Sequence, residues 1–312
     1  MTGSDSPTVD LRATLRAATD LLRAAGVASP RVDAELLTAH VLDVDRGRLL
    51  VVDAIDAGQR DRLEGLITRR AAREPLQHII GRAAFGPIDL AVGPGVFVPR
   101  PETEALLEWA VGECARHVPA PAVVDLCAGS GALALAVAAS VPDASVTAVE
   151  NDPAAWTWLL RNAGETTDAV RRRITTRRAD VLDPDAIGDL RADVVVSNPP
   201  YVPLGASLDP EVVDHDPAVA LFGGDDGMSV IAPMIDVIAG ILRAGGACGI
   251  EHDDSTSDAV VAAFEASGAF TDITAHADLA GRPRFVTARR VTDDPGSAGT
   301  GATDGARGHV QG

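Results

Sequence analysis

Lysine is absent from this chain: all 27 of its basic residues are arginine. Chemistry that needs an amine side chain is thereby excluded, including Schiff-base catalysis, the P-loop nucleotide-binding lysine and the protein-kinase lysine. Aromatic residues make up only 3% of the sequence, so a core has to rest on Ala, Val, Leu and Ile. Three cysteines, Cys114, Cys127 and Cys248, are too few and too far apart for a disulfide framework or a zinc cluster. No apolar run approaches the ~18 residues of a membrane span, and the N-terminus lacks the pattern of a secretory leader. A cytoplasmic protein is expected. Positive charge is also short: 45 acidic residues leave a formal net charge of −18. Affinity for free nucleic acid comes largely from neutralising phosphates. A protein or small-molecule substrate therefore fits better than DNA or RNA.

What the chain does have is 312 residues, 46% of them hydrophobic, enough for one large α/β domain and a smaller one. From Val9 to Ala25 apolar residues recur at helical spacing and Gly26 closes the segment. Ser29-Pro30 has the form of an N-cap followed by proline at the first helical position. A third helical pattern runs from Arg60 to Arg73. Residues 1–75 thus read as a small all-helical domain, and 76–100, punctuated by glycine and proline, as a β-hairpin linker. From 101 to 291, after a first helix over Glu102–His117, strands and helices alternate: Val123–Cys127, Ser145–Glu150, a strand near Ile174, Asp193–Ser197, a helix over Met228–Arg243, then Gly246–Glu251. That alternation predicts a mostly parallel, Rossmann-like sheet covered on both faces. Thr271–His276 and Arg284–Arg289 suit an antiparallel end to it. Residues 292–312 have almost nothing to bury and are expected to be disordered.

Two motifs carry chemistry. In the first, an apolar strand ends at Asp125 and passes through Ala128, Gly129, Ser130 and Gly131 into an Ala- and Leu-rich helix. Glycines let the backbone approach a ligand, and a helix N-terminus offers free amides to a carboxylate. The next strand ends in Glu150, 25 residues after Asp125, where a carboxylate can accept from ribose hydroxyls. Asp180 can accept from an exocyclic adenine amine. A dinucleotide is the nearest rival ligand, but the turn lacks the full G-x-G-x-x-G pattern because Cys127 occupies its first position.

The second motif is the stronger. Strand residues Val194–Val196 run into Ser197-Asn198-Pro199-Pro200-Tyr201. Consecutive prolines fix φ and remove two backbone donors, leaving carbonyl oxygens available. The Asn198 side-chain oxygen and the Pro199 carbonyl can together accept from an incoming NH₂ group, and Tyr201 offers a face to a planar substrate. An amide nitrogen is a poor nucleophile because its lone pair is delocalised. Two fixed acceptors orient it and favour the pyramidal form that develops on attack. Neither a metal nor a strong base is required, and His78, His215, His252 and His276 lack metal-ligand spacing.

Over about residues 8–290 the chain resembles the HemK-type peptide chain release factor glutamine methyltransferases. The resemblance rests on REPLQHIIG from Arg73, VFVPRPETE from Val96, DLCAGSG from Asp125, NPPYVP from Asn198, ALFGGDDG from Ala220 and DLAGRPRFV from Asp278. NPPY alone is shared with DNA adenine and RNA guanine methyltransferases. The resemblance implies a class I methyltransferase fold of seven strands and S-adenosylmethionine as cofactor. It also implies a helical N-terminal domain that docks class-I release factors, and methylation of the glutamine of their GGQ motif. Carried onto this sequence, Asn198, Pro199, Pro200 and Tyr201 hold the amide. Ala128, Gly129, Ser130 and Gly131 line the cofactor, Glu150 takes the ribose, and Asp180 with Val181 borders the adenine. Phe97 and the Arg100, Pro101, Glu102, Thr103 turn cover the cofactor and shape the glutamine entrance. This chain departs from the family pattern at Cys127, where glycine is usual, at Glu150, where aspartate is commoner, and at EHDDS from Glu251, which lacks the usual Gly and Gln.

Bland readings stand beside these. Pro99–Glu104 also suits a proline-rich linker with acidic residues in a helix's first turn. The run Arg171, Arg172, Arg173, Arg177, Arg178 is expected to be a solvated face. Nucleic-acid N-methylation, and cofactor binding without catalysis, remain the alternatives to protein glutamine methylation.

Overall fold

The computed structural model describes residues 8–278 and 281–292. The expected loose N-terminal residues, two positions of the closing motif and the expected tail beyond Thr292 lie outside the described residues.

The chain opens with β1 (Thr8–Asp10), α1 (Leu11–Ala24), α2 (Pro30–Leu42), β2 (Ala54–Asp56), α3 (Ala57–Ala71) and α4 (Leu76–Ile80). Acidic caps start two of these helices. Asp10 accepts from the Ala13 amide at 2.6 Å. Asp56 and Gln59 form a reciprocal capping box at 2.8 and 2.9 Å, which sets the start of α3 three residues before Arg60. Ser29 differs from expectation: Pro30 does open α2, but the Ser29 side chain makes no capping bond. Leu11, Leu22, Leu37, Leu63 and Ile67 form the buried seam of this unit. It is helical apart from the antiparallel β1–β2 ladder, a pairing of three-residue segments too short to leave a period-2 signal.

The linker hairpin is β3 (Arg82–Phe85) and β4 (Ile88–Ala91), antiparallel as expected. A 3-10 turn, Pro101–Thr103, leads into α5 (Glu104–Cys114). There follow β5 (Ala122–Leu126), α6 (Ala132–Ser140), β6 (Ser145–Glu150), α7 (Pro153–Glu165), α8 (Asp168–Arg171), β7 (Ile174–Arg178), α9 (Pro184–Ile187) and β8 (Ala192–Ser197). The remainder is α10 (Pro210–His215), α11 (Ala218–Leu221), α12 (Ile231–Ile241), β9 (Leu242–Glu251), α13 (Ser257–Ser267), β10 (Phe270–Ala277) and β11 (Pro283–Arg290). The expected helix to Arg243 stops at Ile241, because the chain enters β9 at Leu242, where Ala192 of β8 pairs with it.

Seven strands form one sheet in the order β10-β11-β9-β8-β5-β6-β7. The β9–β8–β5–β6–β7 part is parallel and the β10–β11–β9 end antiparallel, the mostly parallel sheet that the alternation predicted. One face packs Leu106, Leu133, Val137 and Leu159, the other Ile231, Ile235, Ile238 and Phe264. The chain leaves central β5 toward β6 on one side and reaches β8 only later on the other. This reversal of strand order opens a crevice at the carboxyl ends of β5 and β8. Both motifs emerge there. Among the described residues no helix is long and apolar enough to cross a membrane.

Candidate active site

The turn after β5 makes one wall. Asp125 is buried, its Oδ2 accepts from the Ala134 amide at 2.9 Å, and its Oδ1 has no hydrogen-bond partner. Burial pushes its carboxyl up to about 8. Cys127 adopts φ +60° and Gly129 φ +57°, so the backbone turns through the left-handed region. That explains why glycine suits position 127 and why a small side chain is tolerated there. Gly131 sits at φ +87°, and a Cβ on it would lie 2.7 Å from Leu159 Cδ1. Glu150, at the end of β6, accepts from the Gly129 amide at 2.7 Å, Asn151 at 2.9 Å and Asp152 at 2.8 Å. Burial raises its pKa and these amides oppose the rise. Three donors on a carboxylate of about four acceptor sites leave one for a ligand hydroxyl, one fewer than the two ribose bonds expected from sequence.

The corner after β8 makes the opposite wall. Ser197 anchors it, donating to the Leu126 carbonyl at 2.7 Å. Asn198 Nδ2 donates to Thr103 Oγ1 at 3.2 Å. Among the described residues no protein donor reaches Asn198 Oδ1 or the Pro199 carbonyl. Tyr201 Oη donates to Glu251 Oε1 at 2.8 Å, which ties its ring to the end of β9. Burial raises the pKa of Tyr201 well above its usual range, and the neighbouring Glu251 adds to the rise.

Between the walls lies a cavity of about 320 Å³. Of the residues singled out from sequence, Asp125, Ala128, Gly129, Ser130, Glu150, Asp180 and Val181 line it on one side. Phe97, Thr103, Asn198 and Pro200 line it on the other. Six expected residues do not line it. Gly131 is turned toward Leu159 as a packing glycine. Pro199 and Tyr201 belong to the corner but not to the cavity wall. Pro101 and Glu102 are exposed. Arg100 lies over the Phe97 ring, 4.9 Å from its centroid, and pairs with buried Asp216; it braces the wall rather than forming it.

Other contributors were not among the expected site residues. Asn162, a buried polar residue on α7, donates to the Ala91 carbonyl at 3.0 Å and the Ser130 carbonyl at 2.9 Å, and accepts from the Ala91 amide at 2.8 Å. It ties the linker hairpin to the glycine turn. Pro217, Val219 and Ala220 line the cavity from the long segment after Tyr201. In the arginine run, Arg171 and Arg177 pair with acids on the surface, but Arg173 is half-buried and donates to the Ala138, Val141 and Ala144 carbonyls at the end of α6. Among the described residues no group of three or more His, Cys, Asp or Glu is placed to hold a metal ion.

Comparison with known proteins agrees with this geometry. Residues 13–81 match the family described as PrmC N-terminal domain, and residues 103–214 match the methyltransferase small domain. The chain is 57% identical over 284 residues to the release factor glutamine methyltransferase of Mycolicibacterium smegmatis, covering 90% of this chain and 98% of that one. It is 50% identical to the enzyme so named from Corynebacterium glutamicum, covering 89% and 98%. The one from Mycobacterium tuberculosis is 46% identical, covering 94% and 96%. With 46–57% identity to these enzymes along about nine tenths of its length, the chain belongs to the release factor glutamine methyltransferase family.

Proposed function

We propose that this protein transfers a methyl group from S-adenosylmethionine to the side-chain amide nitrogen of the glutamine in the GGQ motif of class-I peptide chain release factors, in the cytoplasm. One observation carries the reading. The Asn198 amide, in the cavity wall, is tied at its nitrogen to Thr103, and among the described residues neither its Oδ1 nor the carbonyl of the adjacent Pro199 has a protein donor. Two such acceptors match an NH₂ group, whose two protons they take.

The residues present also suit the cofactor. S-adenosylmethionine is a cation with an ammonium group, and the cavity is lined by Asp125, Glu150, Asp152 and Asp180. The buried, partnerless Oδ1 of Asp125 is suited to accept from that ammonium. The amides of Ala132 and Leu133 at the start of α6 are suited to its carboxylate. Glu150 Oε2 is placed for one ribose hydroxyl, and Asp180 and Val181 for the adenine edge. When bound, the cofactor supplies an electrophilic methyl carbon on a sulfonium sulfur. Asn198 and Pro199 orient the glutamine nitrogen toward it and hold its two protons, so that the lone pair is withdrawn from amide resonance. Phe97, stiffened by Arg100, keeps water from the flank. A methylated, positively charged amide nitrogen is strongly acidic, so water takes the proton and no strong base is needed.

The helical unit is the proposed dock for the release factor. Net charge −18 argues against nucleic acid as the acceptor. Purified protein with labelled S-adenosylmethionine, offered a release factor, DNA and RNA in parallel, tests the reading. Label on the GGQ glutamine is expected; label on nucleic acid alone, or on none of the three, would reject it.

A further inference from the structure

Ala154, Trp158 and Asn162 lie one turn apart along a single face of α7. The stretch after β4 runs past them in the opposite direction. A Cβ on Gly95 would sit 3.1 Å from that of Ala154, and one on Gly93 2.8 Å from the Trp158 ring. Trp158 Nε1 donates to the Pro94 carbonyl at 3.3 Å. Asn162 meets Ala91 at both its amide and its carbonyl, at 2.8 and 3.0 Å. At one end this stretch is tied to the close of α4, where the Val92 amide donates to the Gly81 carbonyl at 3.2 Å. At the other it delivers Phe97 to the cavity wall.

The same Asn162 amide also reaches the glycine turn. Its Nδ2 donates to the Ser130 carbonyl at 2.9 Å, and Ser130 lines the cavity. Asn162, Ala91 and Ser130 are 4%, 1% and 3% exposed, so water is a poor substitute for any of these bonds. The partners fix the polarity of the side chain. One N–H and two carbonyls face it, so its oxygen must turn to the N–H and its NH₂ to the carbonyls. Among side chains of this size only asparagine offers two donors and one acceptor from one planar group. Leucine has nearly the same shape and none of the three.

We propose that Asn162 is a positioning residue for cofactor binding, which locks the Ser130 carbonyl to the linker hairpin and so makes the shape of the turn at 128–131 depend on the linker lying in place along α7. The proposal rests on the reading of that turn as the S-adenosylmethionine site. Asn162 itself is absent from the cavity wall and touches no ligand there. Its effect on the cofactor passes through the Ser130 backbone.

The experiment uses the full chain carrying Asn162→Leu, Gly93→Ala or Ile238→Ala, with S-adenosylmethionine affinity read by calorimetry at a temperature where each variant is folded. Asn162→Leu is expected to weaken binding about tenfold, the scale of one net hydrogen bond. Its kcat at saturating cofactor should fall far less, because the Asn198 corner is untouched. Gly93→Ala pushes the linker away from Trp158 without altering Asn162 or the turn, and should weaken binding in the same sense. Ile238→Ala opens a void in the core on the other face of the sheet. It should lower stability and leave affinity unchanged. Unchanged affinity in Asn162→Leu, or an equal loss in Ile238→Ala, overturns the proposal. Should Asn162→Leu fail to fold, Gly93→Ala against Ile238→Ala decides alone, and equal affinity for those two overturns it.

A second readout needs neither turnover nor ligand. Within the turn the Gly131 amide donates to the Ala128 carbonyl at 2.8 Å. Its hydrogen exchange in the ligand-free protein should be faster in Asn162→Leu and Gly93→Ala than in the wild type. An exchange rate indifferent to positions 162 and 93 overturns the tie, whatever the cavity binds. Failure of the wild type to bind S-adenosylmethionine, with the Gly131 amide responding as expected, rejects the cofactor and retains the tie.

Discussion

Arg70 and Glu211 meet across 141 residues of sequence, Nη2 of the guanidinium donating to Oε1 of the carboxylate at 2.9 Å. Arg70 belongs to α3 of the helical unit and is 4% exposed, with Asp33 on its Nε at 2.7 Å and the Glu74 carbonyl on its Nη1 at 3.0 Å. Arg73 reaches the same Glu211 oxygen at 2.9 Å. Glu211 lies in α10, between the Asn-Pro-Pro-Tyr corner and the cavity residues Pro217, Val219 and Ala220. The helical unit therefore grips the segment that forms one edge of the cavity. Glu211→Ala is expected to cost about 1–2 kcal/mol, discounted from the full value of a buried pair because Glu211 is partly exposed. Residues 203–217 should become the first protease cleavage site. A melting temperature and cleavage pattern equal to wild type would count against the grip.

Asn198→Ala should reduce methyl transfer by at least about a hundredfold, because an orienting acceptor is lost. The affinity for S-adenosylmethionine, measured by calorimetry, should change far less. Retention of most turnover would remove Asn198 from the site.

Two glycines in one turn should fail in different ways. A methyl group on Gly131 meets Leu159 at 2.7 Å with φ at +87°, so Gly131→Ala is expected to cost about 2 kcal/mol or more of stability. A methyl on Gly129 meets no protein atom within 4 Å. Gly129→Ala should cost only about 1 kcal/mol of backbone strain, but should weaken cofactor binding, since its methyl enters space beside the ligand. Thermal melts and calorimetry on the pair read both effects; the same rank order in each would contradict this division.

Cofactor binding should depend on pH through Asp125. Burial raises its carboxyl to about 8, so near pH 6 the free protein holds it protonated. An ammonium on Oδ1 favours the charged form, so binding releases a proton and affinity rises from pH 6 toward pH 8. Glu150, also raised, adds in the same direction. In the protein alone the sign is opposite. A carboxyl whose folded pKa exceeds its unfolded one contributes stability fully at low pH, and that stability is lost as pH climbs from about 4 to about 8. Asp125→Asn should flatten both slopes, which calorimetric Kd values and melts at pH 6, 7 and 8 will show.

Tyr201 is the chain's single tyrosine, so tyrosinate absorbance reports on it alone. Burial first, and the charge of Glu251 second, hold it protonated above pH 10. The absorbance should stay flat through pH 10–11 and appear only with unfolding. Ordinary titration near pH 10 in the folded protein would show that the bond to Glu251 does not form in solution.

Much of this was legible in one dimension. Val123–Leu126, Ser145–Glu150 and Ala192–Ser197 announce themselves because strands buried on both faces need unbroken apolar runs, and the turns between them need glycine and proline. Ser197 to Tyr201 is legible because two prolines and an amide are a chemical statement without any partner. Gly129 and Gly131 look alike in sequence, yet Gly129 lines the cavity and Gly131 packs against Leu159. A glycine pattern reports a backbone turn but not which side of it faces the ligand. Ser29 looked like a cap, but a cap is a matter of φ and ψ as well as residue type.

The order of residues along the chain determined the fold class, the two lips of the crevice and the family, since each depends on local periodicity or a contiguous motif. Only the tertiary structure decided that Asn198 meets Thr103 and Tyr201 meets Glu251, that Asn162 joins hairpin to glycine turn, and that Glu211 returns to Arg70. Those partners come from strands and helices far apart in sequence. Their meeting depends on sheet register and on burial, which alone make an isolated carboxylate or amide commit to one partner and one polarity.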